Sequence, residues 1–232
     1  MNRWIIIVFG VMWAAMLSAQ PRLKQAEIAL GVHAGVMAST IDFYPKVPYM
    51  TPISKACLLV PNGGIVFRYS KHKYCGLQIE LNYMQRGWAE RGTDSTATIN
   101  YRRRLHYIEL PFLMHVYVGR KTVRGFIVLG PQIGYCIKDE GGSGEKQTGE
   151  VHQYEPITHP FDWGVAGGLG MMIHTKNAGI YQLEARFNYS LGTIFASTAT
   201  DYFKKSHPMN LSINIGWLWE FKPKPLKKVQ AL

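Results

Sequence analysis

The sequence predicts an all-β protein, an eight-stranded antiparallel up-and-down transmembrane β-barrel. Three observations predict it. Apolar residues recur at every second position, the segments with this pattern are joined alternately by short and long connections, and lysine is missing from those segments. The alternation is clearest in residues 181–191, YQLEARFNYSL. A period of two places one set of side chains on each face of a strand, and no helix produces it.

Composition and length indicate one exported domain. The chain has 232 residues, of which 47% are hydrophobic and 18% charged, which is enough apolar material for a single barrel. Arg3, an apolar run over residues 4–17 and a small residue at Ala19 predict a signal peptide at residues 1–19. Because Leu17 stands where a small residue is usual, a cut one or two residues away stays open. The barrel is predicted at 20–221.

Eight strands are predicted, most of them near or above the ~9–11 residues that cross a membrane when tilted. In chain order they cover residues 28–37, 62–70, 74–85, 104–117, 124–137, 161–174, 180–191 and 209–221. The connections alternate, beginning with a long one, as is typical of outer-membrane barrels with long external loops and tight periplasmic turns. The short turns fall at residues 71–73, 118–123 and 175–179, and both termini are expected on the periplasmic side.

The placement of lysine favours a membrane barrel over a soluble barrel of the lipocalin kind. All fifteen lysines lie outside the predicted strands, whereas the outer face of a water-soluble sheet normally carries several. The polar faces carry residues suited to a hydrogen-bonded lumen: Gln78, Glu80, Asn82, Gln182, Glu184, Arg186, Asn188, Asn210, Ser212 and Asn214.

Aromatic residues stand near the ends of the apolar faces, as in the interfacial girdles of membrane barrels. They are Tyr83, Tyr135, Tyr181, Tyr189, Trp217, Trp219 and Phe221. The aromatic end of the last strand resembles the sorting signal that outer-membrane insertion machinery reads. The lysine-rich residues 222–232 that follow are predicted to be a disordered, basic periplasmic tail.

Two irregularities interrupt the predicted strands. Pro111 cannot donate a backbone hydrogen bond, so it should mark a bulge or a local opening. Residues 164–170 are rich in glycine but lack the Lys-Ser/Thr ending of a phosphate loop. These glycines are expected to let the barrel wall bend or to admit a bulky neighbour in the lumen.

The charged residues of the polar faces predict an internal ion-pair network formed by Glu80, Glu109, Glu184 and Arg186, with Arg68 joining if its strand keeps register. An eight-stranded barrel is just wide enough for side chains to fill it, and a lone buried charge is costly. Two interpretations are open. The network either plugs the lumen or forms a narrow ion path or proton-coupled gate.

The net charge of +11 indicates anionic partners. In an exported protein these are outer membrane lipids and lipopolysaccharide phosphates, and nucleic acid is not an expected partner. Five arginines are assigned to one external loop and its edges as candidate phosphate contacts: Arg86, Arg91, Arg102, Arg103 and Arg104. Guanidinium groups suit phosphate, but a basic loop surface that simply faces solvent is equally compatible.

Candidate catalytic residues are few. Asp201, Ser206 and His207 precede the last strand, and His159 and Asp162 begin the sixth. No spacing among them specifies a catalytic triad or a metal site, so the sequence predicts a protein that is not an enzyme.

The cysteines predict no metal site and no cofactor. Cys57, Cys75 and Cys136 are odd in number and show no CxxC spacing. Only Cys57 and Cys136 fall toward the same rim and could pair, and three unpaired thiols are the other interpretation.

Four segments carry a family resemblance: residues 77–88 (LQIELNYMQRGW), 107–112 (YIELPF), 129–134 (LGPQIG) and 161–168 (FDWGVAGG). Together they resemble the PorT-like outer-membrane β-barrel family of Bacteroidetes, and the likeness covers most of the mature chain. The YIELP and LGPQ elements are fairly specific to that family. The alternating strands are common to such barrels in general.

The resemblance implies an outer-membrane location, reached through the signal peptide. The founding member of the family is implicated in the type IX secretion system, so the resemblance also implies an accessory role in protein secretion, with other secretion-system proteins as possible partners. It supplies no catalytic or ligand residues. A small structural, lipopolysaccharide-binding or porin-like barrel without a secretion role is the alternative.

Overall fold

The computed structural model describes residues 22–45, 55–72, 74–91, 99–119, 122–144, 157–175, 177–193 and 203–221. Within them nine strands form: β1 (Arg22–Pro45), β2 (Lys55–Ala56), β3 (Leu58–His72), β4 (Cys75–Arg91), β5 (Ile99–Gly119), β6 (Val123–Gly144), β7 (Phe161–His174), β8 (Ile180–Ser190) and β9 (Phe203–Phe221). The predicted signal peptide and basic tail lie outside the described residues.

The strands close into one antiparallel barrel. The order β4-β3-β1-β9-β8-β7-β6-β5 is completed by pairing of β5 with β4. The two-residue strand β2 pairs with β4, as β3 does, but its register is shifted by one residue. Strands β2 and β3 therefore form one strand of the barrel wall. Closure leaves no sheet edge along the wall and pairs the backbone groups internally, as a bilayer core requires. The prediction of an eight-stranded barrel is confirmed.

Connections define the two ends of the barrel. At the short-turn end, β3–β4, β5–β6 and β7–β8 are joined by short turns, and β1 begins and β9 ends there. The other connections lie at the opposite, long-loop end. In the last short turn Gly179 has φ +84°, a conformation that favours glycine, and its carbonyl accepts hydrogen bonds from the backbone and hydroxyl of Thr175.

The barrel is inverted relative to a water-soluble protein. Large apolar side chains face outward and stay exposed, for example Leu129 at 52% and Ile215 at 68%. Polar side chains such as Glu80, Gln78 and Asn210 face inward and are almost fully buried. An apolar surface that encircles the molecule is not stable in water, and it matches the lipid-facing band of a membrane barrel.

The wall strands extend further at the long-loop end than the sequence predicts. There β1 reaches Pro45, β4 reaches Arg91 and β6 reaches Gly144. The expectation that no strand contains lysine is therefore wrong, because backbone pairing continues beyond the apolar band into water. The strand lysines are Lys24 and Lys71 at the short-turn end and Lys55, Lys138, Lys204 and Lys205 toward the long-loop end.

Pro111 marks a local opening of the ladder and not a bulge. Pairing of β5 with β4 is interrupted between Phe112 and Glu109, and pairing with β6 is interrupted between Pro111 and Met114. The register is the same on both sides of each interruption, so no residue is added to either strand. Pro111 lies within the gap toward β4, and Pro131, which would face Phe112, lies within the gap toward β6, so each gap contains a residue without a backbone donor.

Glycines of β7 make room for side chains in the lumen. A Cβ at Gly170 would lie 2.6 Å from the ring of Phe126, and one at Gly168 would lie 2.9 Å from a carboxylate oxygen of Glu184. The expected role of these glycines in admitting bulky neighbours is therefore observed at two positions.

Three further features complete the description. Cys57, Cys75 and Cys136 are all free thiols. No helix in the described part of the chain has the length and apolar character needed to cross a bilayer. No group of three or more metal-binding side chains occurs there either.

The inverted surface predicts a depth-dependent cost for a charge. Leu129 lies near the middle of the lipid-facing part of β6, so Leu129→Arg should lower the free energy of unfolding by ~2–4 kcal/mol. Val123→Arg, at the short-turn end of the same strand, should lower it by ~0–1 kcal/mol. Denaturant unfolding in lipid vesicles measures both, and equal losses would contradict a bilayer around this face.

Candidate functional site in the barrel lumen

The lumen concentrates buried charge. Among the described residues, four arginines and four carboxylates are nearly inaccessible to solvent: Arg68, Arg86, Arg103, Arg186, Glu80, Glu109, Glu184 and Asp162. Their formal charges cancel, so they contribute nothing to the net charge of +11. Since buried charges require partners, the site is defined by how these eight groups are paired.

Arg186 forms the central ion pair across the barrel. Its two terminal nitrogens donate to the two carboxylate oxygens of Glu80, at 2.5 and 2.7 Å, and its Nε donates to Glu184 at 2.6 Å. Glu80 is on β4 and Arg186 on β8, which lie on opposite sides of the closed sheet. The bidentate contact therefore ties opposite walls together through the lumen.

Amide groups complete the coordination of Glu80. Gln78 and Asn82, which flank it on the inward face of β4, donate to its carboxylate oxygens at 2.5 and 2.8 Å. The imidazole Nε2 of His33 lies 3.6 Å from the same carboxylate and 2.8 Å from the side-chain oxygen of Asn82. Glu80 is thus held by groups from three strands.

Arg68 joins this cluster through amides and not through a direct ion pair. It donates to the oxygen of Gln78 at 2.7 and 2.9 Å and to that of Gln182 at 2.6 Å. Gln78 in turn donates to Glu80. The Glu80–Arg186–Glu184 group carries one excess negative charge, and Arg68 balances it through this relay.

A second cluster lies toward the long-loop end and is centred on Arg86. Its guanidinium contacts the carboxylate of Glu109 and donates to Asp162 at 2.6 Å and to the hydroxyl of Ser190 at 3.1 Å. Ser190 also donates to Asp162 at 2.5 Å. The same guanidinium lies 4.9 Å from the ring centre of Tyr107, a cation–π contact.

The structure divides the expected single network into two. Glu80, Glu184 and Arg186 contact one another, with Arg68 one amide away, whereas Glu109 belongs to the Arg86 cluster. Sequence reasoning assigned Arg86 to an external loop. That assignment is wrong, because β4 continues to Arg91. Arg86 has the same parity as Gln78, Glu80 and Asn82, so the period of two, continued six residues past Glu80, would have placed it in the lumen.

The three consecutive arginines of β5 alternate in direction. Arg103 points inward, pairs with Asp139 at 2.5 Å and lies over the ring of Trp88. Arg103 therefore is not an external phosphate contact. Arg102 and Arg104 are exposed on the outer face. The side chain of Arg91 lies outside the described residues.

The outer face beside these arginines carries a polar cluster. The Tyr83 hydroxyl lies 2.5 Å from Nδ1 of His106, whose Nε2 lies 3.0 Å from Glu140. The ammonium of Lys138 also donates to Glu140, at 3.1 Å. Hydrogen bonds from Lys138 and then His106 hold the pKa of Glu140 below its usual value. This cluster marks the edge of the apolar band.

Apolar side chains close the lumen on both sides of the charged clusters. At the short-turn end Leu113, Tyr117, Phe126 and Leu218 pack together with neighbours. Toward the long-loop end one cluster contains Ile41, Trp88, Leu105 and Tyr107, and another contains Met37, Leu58, Val60 and Met84. A remaining cavity at the short-turn end, beside Arg68 and His115, measures about 20 Å³, room for about one water molecule.

The catalytic candidates that lie in the described part of the chain have different surroundings. Asp162 is engaged by Arg86 and Ser190 in the lumen, His159 is exposed, and the His207 ring contacts the carbonyl of Gly192. Asp201 and the side chain of Ser206 lie outside the described residues.

Comparison with known protein families decides which family the chain belongs to. The model for the outer membrane protein β-barrel domain matches residues 18–196. The chain belongs to the outer membrane protein β-barrel domain family. Membership agrees with the closed sheet and the apolar outer surface, and it places the protein in the outer membrane.

Solved structures of other outer membrane barrels are similar to this chain. OprG from Pseudomonas aeruginosa is 14% identical, with 84% of this chain and 95% of OprG covered and a TM-score of 0.48. Ail of Yersinia pestis, solved with the heparin analogue sucrose octasulfate, is 12% identical, with 83% and 99% covered and a TM-score of 0.41. Neisserial surface protein A is 11% identical, with 84% and 99% covered and a TM-score of 0.39. No curated protein matches the chain.

The central cluster predicts a large cost for removing its arginine. Arg186→Met leaves Glu80 and Glu184 buried without their shared partner, and the free energy of unfolding should fall by ~3–5 kcal/mol. Adding Glu184→Gln should recover a large part of the loss, because Glu80 and Arg68 then balance. Denaturant titration of both variants in vesicles tests this. A double variant no more stable than the single one would show that charge balance is not the cause.

Proposed function

We propose that the protein is a non-enzymatic, non-conducting outer membrane barrel that acts through its surfaces as an accessory component of protein secretion. The observation that carries the first half is the filled lumen. Arg186 bridges opposite walls, a second ion-pair cluster lies above it, and apolar side chains pack on both sides. A barrel closed in this way offers its loops, its short-turn end and its outer wall as places of action.

The secretion role rests on the resemblance to the PorT-like family. Residues 107–112 and 129–134 carry its more specific elements and lie on neighbouring strands, β5 and β6, so these two elements lie in one part of the wall. The partners are then other components of a type IX system, which meet the loops or the periplasmic face.

A filled lumen predicts the absence of conductance. In planar bilayers neither the wild-type protein nor Arg186→Met should give single-channel events, because the Arg86 cluster and the apolar layers still block the lumen. A conducting porin inserted in the same bilayers is the positive control. Discrete openings in the wild type would support the porin-like alternative, and openings in the variant alone would indicate a gate at Arg186.

The secretion role predicts a specific export defect. Deleting the gene in its native host should abolish export of type IX cargo and leave an unrelated outer membrane protein at its normal level. A wild-type copy should restore export. Normal cargo export in the deletion strain would remove this role and leave a structural or lipopolysaccharide-binding barrel as the leading account.

A further inference from the structure

The outward arginines of β5 form a basic pair at the edge of the apolar band. Arg102 and Arg104 are exposed and point to the same side of one strand, because Arg103 between them turns inward to Asp139. Residues two apart on a strand are ~7 Å apart along it. The two guanidinium groups can therefore reach a single headgroup.

The backbone of this pair lies outside the apolar band of the barrel, on the side of the lipid headgroups. Among the described side chains of β5, Ile108 is the last exposed apolar one toward the long-loop end, at 43%. Arg104 lies four residues further and Arg102 six, ~13 and ~20 Å along the strand, or ~10 and ~15 Å along the membrane normal at a tilt of ~40°. The long arginine side chain can bend back toward the headgroups, which occupy about 5–8 Å on each side of the hydrocarbon core.

Within the described part of the chain, neighbouring side chains leave both guanidinium groups exposed. On β4, Arg102 lies opposite Ala89 and Arg104 lies opposite Gly87. A methyl group and a hydrogen atom are too small to cover the guanidinium groups. Among the described residues neither arginine forms an ion pair. The nearby carboxylates are already engaged, Asp139 by Arg103 and Glu140 by Lys138 and His106.

We propose that Arg102 and Arg104 form a binding site for the phosphate groups of an outer-leaflet lipid, of the phosphorylated lipopolysaccharide-anchor type. A guanidinium group matches phosphate bidentately, whereas a lysine ammonium acts as a point charge. The site rests on the outer-membrane location and on the long-loop end facing outward, and not on the secretion role.

Binding of lipid A to the purified full-length barrel in nonionic detergent tests the site. Arg102→Gln with Arg104→Gln should weaken lipid A binding about 30-fold, which corresponds to about 2 kcal/mol for two cations at a headgroup. Arg102→Lys with Arg104→Lys should lose less, because the charge remains. Lys71→Gln with Arg124→Gln, which removes two cations at the short-turn end, is the matched control and should change binding less than 3-fold.

Two further probes identify the source of the phosphate. Dephosphorylated lipid A should bind the wild type as weakly as lipid A binds the double glutamine variant. Inorganic phosphate alone should bind at least 30-fold more weakly than lipid A, since it lacks the acyl chains that pack on the apolar wall. Circular dichroism and heat-dependent gel mobility confirm that each variant is folded.

Three results would overturn the proposal. They are unchanged affinity of the glutamine variant, equal loss in the Lys71 and Arg124 control, and equal affinity for inorganic phosphate and lipid A, which would indicate a free-phosphate site. None of these results depends on cargo export, so failure of the lipid site and failure of the secretion role are distinguishable.

Discussion

The absence of water in the bilayer core is the constraint on which the structure depends. Backbone donors and acceptors have no solvent partner there, so each strand must pair on both sides. The pairing of β5 with β4 completes this requirement for the wall. Once the sheet is closed, its outer face must be apolar and its inner face has to hold whatever polar groups remain. The exposed Leu129 and the buried Glu80 are both consequences of this closure.

The small diameter of eight strands turns the inner face into a problem of charge balance. An interior of this size is filled by side chains, so a charged group inside must find a partner on a nearby or opposite strand. Arg186 finds two carboxylates, and the excess negative charge is balanced through amides by Arg68. Glycine at position 168 leaves the space that Glu184 occupies. The residues that fill the lumen are therefore also the residues that balance its charge.

Beyond the apolar band, the same backbone ladder continues, but its residues are in contact with water. Water can form hydrogen bonds with backbone and charged groups there, so lysine occurs in β6 and β9. The alternation of side chains persists, which is why Arg103 contributes to the interior while Arg102 and Arg104 face outward. One run of three identical residues thus serves two environments.

Local order was predictable from the sequence because strand faces alternate with a fixed period. The eight strands, the short turns and the inward direction of Glu80, Glu184 and Arg186 follow from residues two apart. The same parity would have placed Arg86 inside, but its strand was ended too early. Strand ends are hard to predict where water can support either loop or ladder, since the apolar pattern stops before the pairing does.

Contacts across the lumen were decided only by the tertiary structure. Which inward residue meets which depends on the relative height of strands that are not neighbours, as with Glu80 on β4 and Arg186 on β8. Height is set by register accumulated around the closed sheet, here from β4 through β3, β1 and β9 to β8. The sequence by itself determined the fold class and the faces of the strands, because both depend on local periodicity. Closure of the barrel decided the division of the buried charges into two clusters, because that division depends on distances across the interior.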